Sequence, residues 1–197
     1  MSWIDDFLDG GPDYVAERRS VAEMQALFLK AGLGAKLPLG NAQDFSGMTA
    51  LFMSDPKLFA MAAAALEGVH RPVHFEGTTE HMVIDDARIA MAAPAVTDAF
   101  VCGATRVVLH DLDWPQLLWP ILVWAQQVYG VTLGIHRPDG RTVMILKTEQ
   151  GLKPLGDPQA VPLVPLAQLE QLAAKTLVPS SDASRMSGAG AGLQDND

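Results

Sequence analysis

The sequence predicts an α+β fold: N-terminal helices, a mixed or antiparallel sheet of about five strands, one apolar central helix and a C-terminal amphipathic helix. Three observations carry this expectation. Apolar residues recur at helical spacing up to Gly68, and alternation of strand type begins after Arg71. Trp114, Trp119 and Trp124, with Leu, Ile and Val between them, occupy almost every azimuth of the segment Trp114–Tyr129. A helix that is apolar all round must be covered on every side, by its own domain or by a second subunit. Beyond it, Val131, Leu133 and Ile135 lead into Arg137-Pro-Asp-Gly140, and Val143, Ile145 and Leu146 lead out. Proline second and glycine fourth fit a type I turn, so this reads as a hairpin.

In chain order, residues 1–12 read as a short N-terminal segment. Trp3, Ile4, Phe7 and Leu8 share one helical face with Asp5, Asp6 and Asp9 opposite, which suits docking into a partner's groove or packing on its own domain. A single domain then spans residues 13–178, a size that can bury a real core. Val21, Met24, Leu27, Phe28 and Ala31 mark its first helix, stopped at Gly32, and Leu33–Gly47 reads as a loop rich in Gly, Pro and Asn. Asp55 can cap the next helix, Pro56 suits its first position and Gly68 can close it. Arg71–Glu76, His81–Asp85, Arg88–Ala92 and Phe100–Leu112 are strand candidates. Asp113 is placed to cap the tryptophan-rich helix. Gly151–Pro165 is a connector, and Leu166, Leu169, Leu172, Ala173 and Leu177 mark the last helix. Residues 179–197 are dominated by Ser, Gly, Ala and Asp and read as a disordered tail.

Composition excludes several functions. A net charge of −9 disfavours nucleic acid and anionic membrane surfaces as partners. It serves solubility, and it suits a basic or unfolded partner. The longest aliphatic run, Leu117–Ala125, is too short to span a membrane and contains Pro120. Asp5, Asp6 and Asp9 stand where a signal peptide would be basic. The single cysteine, Cys102, rules out an intrachain disulfide and fits a reducing compartment, so a cytoplasmic location is expected.

Few residues point to catalysis. If Val73–Glu76 pairs with His81–Ile84 so that Phe75 faces Met82, Glu76 lies opposite His81 with His74 on the same face. Two histidines and a carboxylate on one face suit non-haem iron or zinc; the same set also suits the wet face of a hairpin. Cys102, between apolar neighbours, reads as a buried structural cysteine rather than a nucleophile paired with His110 and Asp111. There is no Gly-x-Ser-x-Gly, no Gly-x-Gly-x-x-Gly and no Gly-Lys-Ser or Gly-Lys-Thr.

From Asp55 to Leu177 the order of elements, with the apolar helix Trp114–Tyr129 and the hairpin Val131–Leu146, resembles the class I type III secretion chaperones. These are small, acidic, dimeric α+β proteins with the order helix, three strands, helix, two strands, helix. The chain departs from them by an extra helix before Asp55 and by Pro120. The resemblance implies that the helix between the strand groups carries a homodimer contact. The sequence therefore predicts a non-enzymatic module, a secretion chaperone or accessory subunit, that binds another polypeptide and needs no cofactor. Trp114, Leu118, Trp119, Leu122 and Trp124 are expected at the partner or dimer interface, and Trp3, Ile4, Phe7 and Leu8 form the candidate docking segment. The alternatives are a small metal-dependent enzyme on His74, Glu76 and His81, or a structural subunit of a larger assembly.

Overall fold

The computed structural model describes residues 3–10 and 14–176; the expected tail, residues 179–197, lies outside them. The helical layer follows local signals. Helix α1 (Trp3–Asp9) precedes a short strand β1 (Ala16–Glu17). Helix α2 (Val21–Gly34) starts at Ser20, whose hydroxyl accepts from the Glu23 N–H while the Glu23 carboxylate accepts from the Ser20 N–H, a reciprocal cap that satisfies two otherwise orphaned donors. The expected loop Leu33–Gly47 holds a helix, α3 (Leu39–Gly47), because Ala42 and Phe45 are buried against the core. After α4 (Thr49–Phe52), α5 (Pro56–Ala65) begins at Asp55, whose carboxylate accepts from Lys57 and Leu58. Phe28 lies at the centre of this layer, its ring 5.5–6.2 Å from those of Phe45, Phe52 and Phe59.

The sheet consists of β2 (Glu76–Gly77), β3 (His81–Ile84), β4 (Arg106–His110), β5 (Leu133–His136) and β6 (Thr142–Lys147), in the order β2-β3-β4-β6-β5. It is mixed: β3 and β4 run parallel and the other neighbours antiparallel. Parallel neighbours need a crossover, and α6 (Ile89–Val101) supplies it. This corrects the reading of Arg88–Ala92 and Phe100 as strand. Pro94 interrupts the helical pattern in sequence, yet Ile89, Ala93, Val96 and Phe100 are all buried. Burial on nearly every side outweighs the cost of a proline in a helix interior, about 3 kcal/mol. Helix α6 also breaks the run of three strands on which the chaperone resemblance rests.

The tryptophan-rich segment is a 3-10 turn (Pro115–Leu117) followed by α7 (Leu118–Tyr129), closed by Gly130 at φ +68°. Pro120 falls in the first turn of α7, where N–H groups lack helical partners. Trp114 stays outside the helix with left-handed backbone. Strand β7 (Val161–Pro162) pairs with β1, and α8 (Leu163–Ala174) packs along α2 and α5. One core cluster joins α2, α3, α5, α6, α7 and α8 to a single face of the sheet, formed by Ile84, Val107, Leu109, Leu133, Val143 and Ile145.

Candidate functional site

The registers define the opposite face of the sheet. Glu76, Val83, Val108, Met144 and His136 form one row across all five strands, because Glu76 pairs with Val83, Val83 with Val108, Val108 with Met144 and Met144 with His136. A second row runs His81, Arg106, Leu146, Gly134, and His110 pairs with Thr142 in a third. Val83, Val108, Met144 and Leu146 are half-buried and belong to no core cluster, while Glu76, His81, Arg106 and His136 are exposed. Val107-Val-Leu109 and Val143-Met-Ile-Leu146 are unbroken apolar runs, the pattern of strands covered on both faces. Here the described residues cover one. The runs were legible in sequence; which of their residues face outward was not, since alternation is lost when both faces are apolar.

The expected interface residues do not share a surface. Leu118 and Leu122 are fully buried inside the chain's own core. Trp114 and Trp124 are half-buried, Trp124 against Gly47 and Tyr129. Only Trp119 is exposed, at 39%, and its Nε1 donates to the Lys153 carbonyl at 3.2 Å. The middle of the apolar helix is thus covered by its own domain, while Val128 and Tyr129 stay exposed at its end. The segment Trp3, Ile4, Phe7, Leu8 likewise packs inward: Ile4 is buried against Ala60 and Ala64 of α5, and the Trp3 Nε1 donates to Glu67 at 2.8 Å.

The candidate metal triad His74, Glu76, His81 is not brought together. Gly77 takes φ +100°, which suits glycine alone, and the Thr78 N–H bonds the His81 carbonyl. The turn therefore closes over Thr78–His81 and moves the register by two residues, setting Glu76 opposite Val83 and leaving Phe75 exposed. Among the described residues no group of three His, Cys, Asp or Glu side chains could hold a metal ion. Cys102 is exposed just past α6, not within a strand.

A second feature lies where β3 and β4 end. A cleft of about 480 Å3 is lined by His70, Arg71, Asp85, Asp86, Arg88 and Asp113, among others. Asp113 accepts from the Ile89 N–H and so caps α6, not the helix that follows it. Burial raises its pKa, opposed by the Ile89 N–H and by Arg88. The His70 Nε2 donates to the Leu66 carbonyl at 3.0 Å, and its buried Nδ1 has no partner. Asp86, Asp111 and Trp114 all take left-handed backbone at this end, a conformation that costs non-glycine residues energy. Asp111 is held by Arg141 through two bonds of 2.7 and 2.8 Å, and its pKa is lowered by them.

No helix among the described residues is long and apolar enough to cross a membrane. Compared with known proteins, the chain matches no protein family, no curated protein and no solved structure.

Proposed function

We propose that this chain is a non-enzymatic module that binds another polypeptide, as a secretion chaperone or accessory subunit does, and that the docking surface is the outer face of the sheet. The observation that carries this reading is the apolar centre Val83, Val108, Met144 and Leu146, on strands patterned for cover on both sides. Burial of such a surface on association is favourable in proportion to the apolar area removed from water. The helices contribute indirectly, by packing against the opposite face of the sheet.

The test is capture of partners from the native host by wild-type protein and by Val108→Asp. Val108 lies outside the core, so the variant is expected to keep the wild-type melting temperature and lose a discrete partner. Equal capture by both proteins would sink this surface as the docking site. The cleft at Asp113 favours a second reading, a small-ligand site. A compound that raises the melting temperature of wild type but not of Asp113→Asn would support it.

A further inference from the structure

The cleft beyond β3 and β4 has a polarity that its own hydrogen bonds leave unbalanced. It lies at the carboxyl ends of the parallel pair, the position where open α/β sheets take their ligands. Its charged lining sets four carboxylates, Glu67, Asp85, Asp86 and Asp113, against the guanidiniums of Arg71 and Arg88, a surplus of two negative charges with the histidines neutral. Arg88 is already engaged, 3.4 Å from Asp86 and 3.8 Å from Asp113; Asp85 and Arg71 take part in no ion pair among the described residues. His70 adds an acceptor to this wall. The Leu66 carbonyl can only accept, so the Nε2 at 3.0 Å carries the proton and the Nδ1 of the neutral ring presents a lone pair. That Nδ1 is buried and has no partner among the described residues, which costs free energy until a donor meets it.

We propose that this cleft binds a small organic cation, an ammonium or amidinium group whose N–H donors reach the His70 Nδ1 and the Asp113 carboxylate. This rests on the reading of the cleft as a small-ligand site and is independent of the outer face of the sheet. An anion is the wrong occupant. The amino end of α6 would otherwise attract one, but Asp113 already meets it through the Ile89 N–H, and the surplus carboxylates would repel a second negative group. A metal ion is also a poor fit, because no group of three His, Cys, Asp or Glu side chains among the described residues could hold one. A volume of about 480 Å3 falls in the range of small-molecule sites. Asp86, and Trp114 next to Asp113, keep left-handed backbone at φ +45°, strain of the kind that surrounding structure maintains at ligand clamps.

The probes are benzylamine, benzyl alcohol and benzoate, three compounds of similar shape with positive, zero and negative charge, titrated into the full-length protein with amide shifts followed by NMR. Benzylamine is expected to shift His70, Ile89 and Asp113 and to bind more tightly than the other two. Asp113→Asn keeps an acceptor for the Ile89 N–H but loses the charge, and should weaken benzylamine by about tenfold, the scale of one charge-assisted hydrogen bond. His70→Phe, which removes the Nδ1 acceptor, should weaken it as well. Should either variant melt below wild type, Asp85→Asn repeats the charge test without breaking an ion pair. Val108→Asp, on the outer face of the sheet, should leave benzylamine binding unchanged. Benzyl alcohol or benzoate binding in the cleft as tightly as benzylamine would overturn the cation while leaving the small-ligand reading intact. Cleft amides that respond to none of the three would overturn both. Benzylamine affinity that is the same in wild type and in all three cleft variants would overturn the assignment to His70 and the carboxylates.

Discussion

The Asp113 carboxylate accepts a hydrogen bond from the Ile89 N–H at 2.5 Å, so a residue that follows β4 caps the helix that precedes it. The bond ties α6 to the carboxyl end of the sheet, and the Arg88 guanidinium stands 3.8 Å away on the same carboxylate. An asparagine keeps an oxygen for the Ile89 N–H, whereas alanine does not. Asp113→Ala should therefore be less stable than Asp113→Asn by about 1 kcal/mol, the usual worth of a helix cap. Urea denaturation of the two variants checks this, and equal midpoints would show that the bond is energetically idle.

The same carboxylate sets a pH dependence. Burial raises the folded pKa of Asp113 above 3.8, so folding favours its protonated form. That contribution is fully present below the unfolded pKa and is lost as pH rises through the folded one. Asp111 and Asp139 have lowered values through bonds from Arg141 and Thr142 and act in the opposite sense, losing stability as pH falls. Replacing Asp113 by asparagine removes only the first effect. The variant should gain on wild type between about pH 3 and pH 7, measured by urea midpoints at both ends. A wild type that gains on the variant as pH rises would show that the carboxylate is stabilised in the fold.

Much of the fold was legible in the sequence because its signals are local. Asp55-Pro56 marks a helix start through bonds within three residues, and the hairpin Leu133–Lys147 follows from turn chemistry and alternation. Helix α6 was not legible. Its alanines and Pro94 carry no stripe, and its existence depends on β3 and β4 being parallel neighbours, which nothing local announces. Asp113 shows the same limit: its N-cap chemistry was readable, but the helix it caps lies 24 residues back. The candidate site was hidden for a related reason. Val83, Val108 and Met144 become one surface only through pairings between strands far apart in sequence, and a two-residue shift at Gly77 was enough to dissolve the supposed metal triad.

Gln126 joins three elements. Its Oε1 accepts from Leu133 on the edge strand β5 and from Leu152 in the connector, at 3.3 and 2.9 Å, while its Nε2 donates to the Leu152 carbonyl at 3.3 Å. Gln126→Ala leaves two part-buried N–H groups without their acceptor. Such groups cost about 1–3 kcal/mol when stranded, so a loss near the lower end is expected, with faster hydrogen exchange at Leu133 and Leu152. Unchanged exchange at both amides would show that water replaces the side chain without penalty.

The packing of α2 on α8 depends on Gly34. A Cβ there would overlap the Leu172 carbonyl oxygen, which is backbone and cannot turn aside, whereas a Cβ on Gly40 meets nothing within 4 Å. Gly34→Ala should destabilise by about 1–3 kcal/mol or more, as overpacking does. Gly40→Ala, within α3, should be neutral or stabilising by up to about 1 kcal/mol. Similar melting temperatures for the two variants would mean that α8 can slide away from α2 at little cost.

The sequence made a homodimer attractive because a helix apolar on every side needs cover, and a second subunit is one source of it. The structure supplies the cover from within. Leu118, Ile121, Leu122 and Ala125 are fully buried, and what stays open on α7 is Trp119, with Val128 and Tyr129 at the end of the helix. Three partly exposed side chains, one of them a tryptophan whose N–H is already bonded to Lys153, fall well short of the about 800 Å2 per partner that a stable interface buries. Light scattering at micromolar concentration is therefore expected to give the mass of one chain, 21.1 kDa, for wild type and for Trp119→Ala alike. A dimer mass that collapses to a monomer in Trp119→Ala would restore α7 as the contact and, with it, the dimeric part of the chaperone reading.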